Sequence, residues 1–196
     1  MAKLVLTLMV LGCCVLVATA AMSATVSMKL SGAGKVNDST IKAGEKVSLD
    51  VYFDNEKPRM GLSIGFKISS PDKSITTIVH PADSGKGLDD SAGDVKGYNG
   101  YEGKGIFDLL NKPIFSDWDG TLPDQMGFMT HIFKKIWPVQ PVQKCYSIDL
   151  VVPTAGTIVI DSAFFPPAGK WIFVTSANEP PDIPAWKGPY KFKVVK

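Results

Sequence analysis

Apolar and polar residues alternate with a period of two along most of this chain. Val26, Met28 and Leu30 are separated by Ser27 and Lys29, and Val47, Leu49, Val51 and Phe53 by Ser48, Asp50 and Tyr52. The longest ladder is Met60, Leu62, Ile64, Phe66 and Ile68, with Gly61, Ser63, Gly65 and Lys67 between them. Tyr146, Ile148, Leu150 and Val152 repeat the pattern, as do Ile158 with Ile160, and finally Tyr190, Phe192 and Val194 between lysines. Successive side chains of a strand point to opposite faces, so each run predicts a strand with one buried and one wet face. Lys191 and Lys193 then read as solvent-side residues that keep a strand edge from pairing with other chains.

Turn signals separate the runs: Lys42-Ala43-Gly44-Glu45, Ser70-Pro71-Asp72, Pro153-Thr154-Ala155-Gly156 and Gly188-Pro189. Short strand spacing, the absence of a strand–helix–strand rhythm and 14 prolines predict an all-β chain folded as an immunoglobulin-like antiparallel β-sandwich. Trp171, in Trp171-Ile172-Phe173-Val174, is expected in the core, and Ala163 to Pro167 at a strand end and corner. Met129, Ile132, Phe133, Ile136 and Trp137 share one face of a helix, while Phe128, Thr130 and Ile132 fit a strand start, and both readings stay open. Two segments resist a strand reading. One is Pro81 to Gly105, rich in Gly, Asp and Ser; the other is Asn111 to Gly127. Loops of such length tend to be functional or mobile.

The N-terminus changes the picture from fold to compartment. Lys3, the apolar run Leu4–Val17 and Ala18-Thr19-Ala20 form an export signal, expected to be cleaved after Ala20, with Ala21 or Ala24 as alternatives. The run is shorter than the ~20 residues a membrane span needs, so no span is expected after cleavage. Cys13 within Val10-Leu11-Gly12-Cys13 fits a lipoprotein box less well, because the apolar run continues to Ala21. The remaining 176 residues, 21–196, suit a single domain that is secreted, periplasmic or displayed on the cell surface. Only Cys145 remains in them, so no internal disulfide can form and the core must rest on apolar burial. Cys145 lies in a strand-like run and reads as a small buried hydrophobe, with pairing to another chain as the alternative. The net charge of +2, reduced to +1 without Lys3, and the scattered lysines exclude a nucleic-acid partner.

Three constellations could carry chemistry. Ile114-Phe115-Ser116-Asp117-Trp118-Asp119-Gly120-Thr121-Leu122 resembles the first motif of haloacid dehalogenase-type phosphatases. The resemblance implies Asp117 as nucleophile, Asp119 as general acid/base and magnesium between them. It requires a buried parallel strand ahead of Asp117 and a later acidic pair; Pro113 interrupts the first and the second is missing. Asp117, Asp119 and Asp124 could instead gather on one loop as calcium ligands, with Asp83, Asp89, Asp90 and Asp94 as a comparable set. The competing reading is that short acidic residues bend and cap exposed turns. Tyr98, Tyr101, Trp118 and Trp186 could supply contact faces for a protein or polysaccharide partner.

Residues 41–68, IKAGEKVSLDVYFDNEKPRMGLSIGFKI, carry a turn around Ala43, Gly44 and Glu45 followed by Val47, Val51, Phe53 and Asn55, then Gly61, Phe66 and Ile68. This resembles the opening of cohesin-type domains among secreted bacterial sandwiches. The resemblance implies a cohesin-like β-sandwich that binds a partner module through one sheet face. The expected function is a non-catalytic extracellular binding or assembly module. A phosphatase using Asp117 and Asp119, and a calcium-binding structural domain, are the alternatives. Any binding surface is expected on the loops carrying Tyr98, Tyr101 and Trp118 rather than on the terminal lysine-bearing strand.

Overall fold

The alternating runs become strands because pairing buries their apolar side while satisfying the backbone. The computed structural model describes residues 24–80, 112–117, 119–131, 139–163, 171–176 and 178–196. Within them there are twelve strands and no helix. A four-stranded sheet runs in the order β11 (Ala185–Trp186), β1 (Thr25–Ser31), β4 (Lys46–Asn55) and β8 (Gln140–Val151). An eight-stranded sheet runs β2 (Lys35–Asn37), β3 (Thr40–Lys42), β12 (Tyr190–Val195), β9 (Gly156–Ser162), β5 (Gly61–Ser69), β7 (Asp124–His131) and β6 (Lys112–Asp117). Its eighth strand, β10 (Ile172–Val174), pairs with the first third of β5, while β9 takes the last residues of the same side.

The two sheets close on a core that follows the alternation residue by residue. Val47, Leu49, Val51 and Phe53 of β4 are fully buried, as are Leu62, Ile64, Phe66 and Ile68 of β5 to within 3%. Ile158, Ile160, Phe192 and Val194 complete the eight-stranded side. Burying each such side chain contributes about 1.5–3 kcal/mol, so apolar burial is the main term holding the two sheets together. The turn at Lys42–Glu45 forms as its sequence demands: Gly44 takes φ +78°, and its N–H donates to Val152 O at 2.8 Å.

Three expectations need correction. The sandwich is mixed rather than wholly antiparallel, because β1 runs parallel to β11 and β3 parallel to β12. Both parallel pairings join distant parts of the chain, which local periodicity does not register. Asn111–Gly127 is not all loop: Lys112–Asp117 and the residues from Asp124 onward are strand. Pro113 hides β6 from a pattern search, and it is tolerated because β6 is the last strand of its sheet and the β6–β7 register shifts between Pro113 and Phe115. β12, finally, is not at an edge; it is bonded to β3 on one side and β9 on the other. Met129–His131 belongs to β7, so the strand reading of Met129 holds, and residues 132–137 of the helical alternative lie outside the described residues.

Candidate functional site

The D-x-D-G-T-L-P-D stretch builds a turn fastened to a neighbouring segment. Asp119 Oδ1 accepts the Thr121 N–H at 2.7 Å, which bends the chain locally. Gly120 has φ +84°, and a Cβ there would lie 2.6 Å from Ile78 O, so close backbone approach requires glycine. Ile78 N donates to Gly120 O at 2.8 Å and Leu122 N to Thr76 O at 2.9 Å. On its other side the same segment exchanges two hydrogen bonds with β8 through Val79 and Val151. Residues 76–80 therefore bridge the turn and the four-stranded sheet.

At the centre of this clamp His80 Nε2 and Asp124 Oδ2 share a hydrogen bond at 2.7 Å, and the Gly120 N–H donates to the same oxygen at 3.2 Å. His80 is 5% exposed and Asp124 0%. Burial pushes the Asp124 carboxyl above its ordinary value, against the lowering effect of the His80 hydrogen bond. A carboxylate–imidazole pair is the orienting half of many hydrolase sites, but this one is closed from solvent and works as a fastener. No local motif in the sequence marks His80 as part of a site. Only the fold brings it 44 positions along the chain to Asp124.

This clamp gives a pH prediction. A carboxyl whose folded-state pKa is raised stabilises the fold below its ordinary value of 3.8, and that contribution is lost as pH rises through the raised value. Asp124→Asn removes the ionisation. Its melting temperature relative to the parent should therefore climb as pH rises above the ordinary carboxyl value of 3.8 toward neutrality. A difference that stays flat or falls across that range, measured by circular dichroism, contradicts the assignment.

Trp186 is half-buried rather than presented freely to solvent. Its ring packs at 5.2 Å from Trp171, 5.7 Å from Phe66 and 5.2 Å from Tyr190, and its Nε1 donates to Asp161 Oδ1 at 3.0 Å. Trp171, 8% exposed, takes the core position expected of it, with Nε1 shared between Gly65 O and Ala163 O. β11 ends at Trp186, and beyond it the Met28 N–H of β1 finds the Tyr190 hydroxyl at 3.1 Å. The cluster thus ties the two sheets together at one end.

Tyr98, Tyr101 and Trp118 lie outside the described residues, as do Asp83, Asp89, Asp90 and Asp94 and the export segment 1–20. Asp117 ends β6, and its side chain is not among those described, nor is that of Cys145 in β8. The strand condition for the phosphatase reading is not met, since β6 pairs antiparallel with β7 at the end of its sheet. Of the proposed calcium ligands, Asp119 and Asp124 already accept the hydrogen bonds given above. Among the described residues no group of three His, Cys, Asp or Glu side chains is placed to hold a metal ion.

The outer faces of the two sheets differ in charge. On the four-stranded sheet Asp149 accepts from Ser48 and pairs with Lys46, and Asp50 accepts from Ser147 with Lys144 at 3.6 Å. Lys29 sits 4.8 Å over the Tyr52 ring. The eight-stranded sheet carries two grooves on its described surface. One, of about 680 Å³, is lined by Lys191, Lys193, Ser39 and Thr157; the other, of about 310 Å³, by Lys67, Lys73, Ser69, Ser70 and Thr76.

No helix among the described residues is long and apolar enough to cross a membrane. No protein-family model matches the sequence, and no curated protein is detectably similar to it. Solved structures do match in fold. A type II cohesin domain from the cellulosome of Acetivibrio cellulolyticus superposes with a TM-score of 0.53 at 12% identity, covering 87% of this chain and 95% of that one. The sixth cohesin of scaffoldin B from the same organism, solved in complex with a mutant dockerin, gives 0.50 at 7% identity, covering 88% and 98%. Such identities carry the architecture alone. The chain is a cohesin-like β-sandwich.

Proposed function

We propose that this chain is a non-catalytic protein-binding module that works outside the cell. The observation that carries the reading is the likeness to the type II cohesin over nearly the whole of both chains. A second cohesin of the same fold was solved bound to a dockerin. The closed His80–Asp124 pair supports it too, because a buried pair offers no catalytic group to a substrate. Export rests on residues 1–20, whose charged start, apolar run and small-residue end suit a signal peptidase.

The test is calorimetric titration of the purified protein with a panel of dockerin modules, together with capture from culture medium and identification of what is bound. A saturable one-to-one complex with a protein is the expected result. Magnesium-dependent hydrolysis of a generic phosphate ester, lost in Asp117→Asn, would overturn the non-catalytic reading. Export is checked by intact mass of the protein recovered from medium, expected to begin after Ala20.

A further inference from the structure

Lys191 and Lys193 read in sequence as guards of a strand edge, and the topology leaves them no edge to guard. β12 lies between β3 and β9 inside the eight-stranded sheet. Phe192 and Val194 enter the core, so Lys191 and Lys193 stand on the outer face, both exposed. Register extends the charge across that face. Lys193 lies opposite Thr40 of β3, two residues before Lys42; Lys191 lies opposite Val159 of β9. Val159 lies opposite Ser69 of β5, two residues after Lys67. Lys42, Lys193, Lys191 and Lys67 therefore descend as one diagonal over four strands.

Neutralisation is uneven along it. Lys42 has Glu45 at 3.6 Å, and Lys67 faces Asp161, whose Oδ1 accepts from Trp186 and Ser162. Asp72 lies beside Lys73 in sequence and accepts from Ser70 and Ser74. Lys67, Lys73, Lys191 and Lys193 make no ion pair among the described residues, whereas Lys35, Lys46, Lys57 and Lys144 all do. The 680 Å³ groove over Lys191 and Lys193 has hydroxyls from Ser39 and Thr157 and, among the described residues, no carboxylate in its lining.

We propose that this diagonal, centred on Lys191 and Lys193, docks an acidic, extended polypeptide segment of a partner protein. The inference rests on the protein-binding reading above and adds the face and the chemistry of the partner. Side chains two apart on a strand are about 7 Å apart, which matches carboxylates at alternate positions of an extended partner. Among the described residues no aromatic side chain lines either groove, and the nearby Trp186 and Tyr190 are turned into their own cluster rather than offered as a sugar-stacking platform. Charge complementarity across an exposed face speeds association and weakens with salt.

The experiment uses the full chain and a fluorescein-labelled peptide of alternating Glu and Thr, read by anisotropy. Binding is expected at about 0.02 M salt and its loss at about 0.5 M, where screening is strong. Lys191→Glu with Lys193→Glu should weaken binding at least about tenfold with an unchanged melt. Lys29→Glu with Lys187→Glu, the same charge change elsewhere, should leave it intact. Equal loss in both pairs, or no binding at low salt, overturns the proposal. Binding of soluble polygalacturonate in preference to the peptide overturns it in favour of an acidic polysaccharide. A protein partner identified by capture that still binds the Lys191/Lys193 variant, but not Trp118→Ala, overturns the face while leaving the protein-binding reading standing.

Discussion

Arg59→Met should unfold this protein at a temperature roughly 6–12 °C below the parent, a cost of about 3 kcal/mol. Arg59 is fully buried, the largest fully buried side chain among the described residues. Its Nε donates to Asn55 Oδ1 at 3.0 Å and its Nη1 to Thr175 Oγ1 at 3.0 Å and to Asp182 Oδ2. Glu56 Oε1 lies 3.6 Å from Nη2, and the Phe173 ring lies 5.6 Å from the guanidinium carbon. Removing one partner of such a buried pair generally costs about 3–5 kcal/mol. The lower end applies because Asp182 keeps Lys57 at 2.6 Å and stays about one-third exposed. Arg59→Lys should recover only part of the loss, since an ammonium cannot reproduce the planar fork. A melt within 2 °C of the parent for Arg59→Met would show that the methionine stem alone holds these segments. Asp182 itself is held below its ordinary value by the Lys57 hydrogen bond, with Arg59 adding to it. Its stabilisation is present above that ordinary value and is lost as pH falls through the lowered one.

Phe66→Ala should cost about 3–5 kcal/mol. The ring is 1% exposed and meets Trp171 edge-on at 5.2 Å and 83°, and Trp186 at 5.7 Å and 49°. Its loss opens a void beside two touching indoles that are already fixed elsewhere: Trp171 by Gly65 O and Ala163 O, and Trp186 by Asp161. Neither can move in to fill the space without breaking a hydrogen bond, so the site collapses poorly. Tryptophan emission should shift to the red as water reaches the rings. A loss below about 1 kcal/mol with unchanged emission would mean that the cluster relaxes freely.

The period-two pattern determined β1, β4, β5, β9, β12 and the second half of β8, because burial on one face of a sheet imposes that pattern directly on the chain. It placed Phe53, Phe66, Ile160 and Phe192 in the core and the turns at Gly44, Pro71 and Pro189 between strands. It also gave the lysines of β12 their outward direction. Composition leads to the expectation that, with residues 1–20 removed, no internal disulfide closes the fold and apolar burial must suffice. The short strands β2, β3 and β11 left no readable period, since three residues or two are too few to show one. β6 was masked by its proline. What joins distant positions was decided only in three dimensions. His80 meets Asp124, Arg59 meets Asp182, and Trp186 meets Asp161, across separations that a local pattern cannot encode. The place of β12 inside its sheet belongs to the same class: alternation fixes which way Lys191 and Lys193 point, but strand order alone decides whether a partner strand or open surface lies beside them.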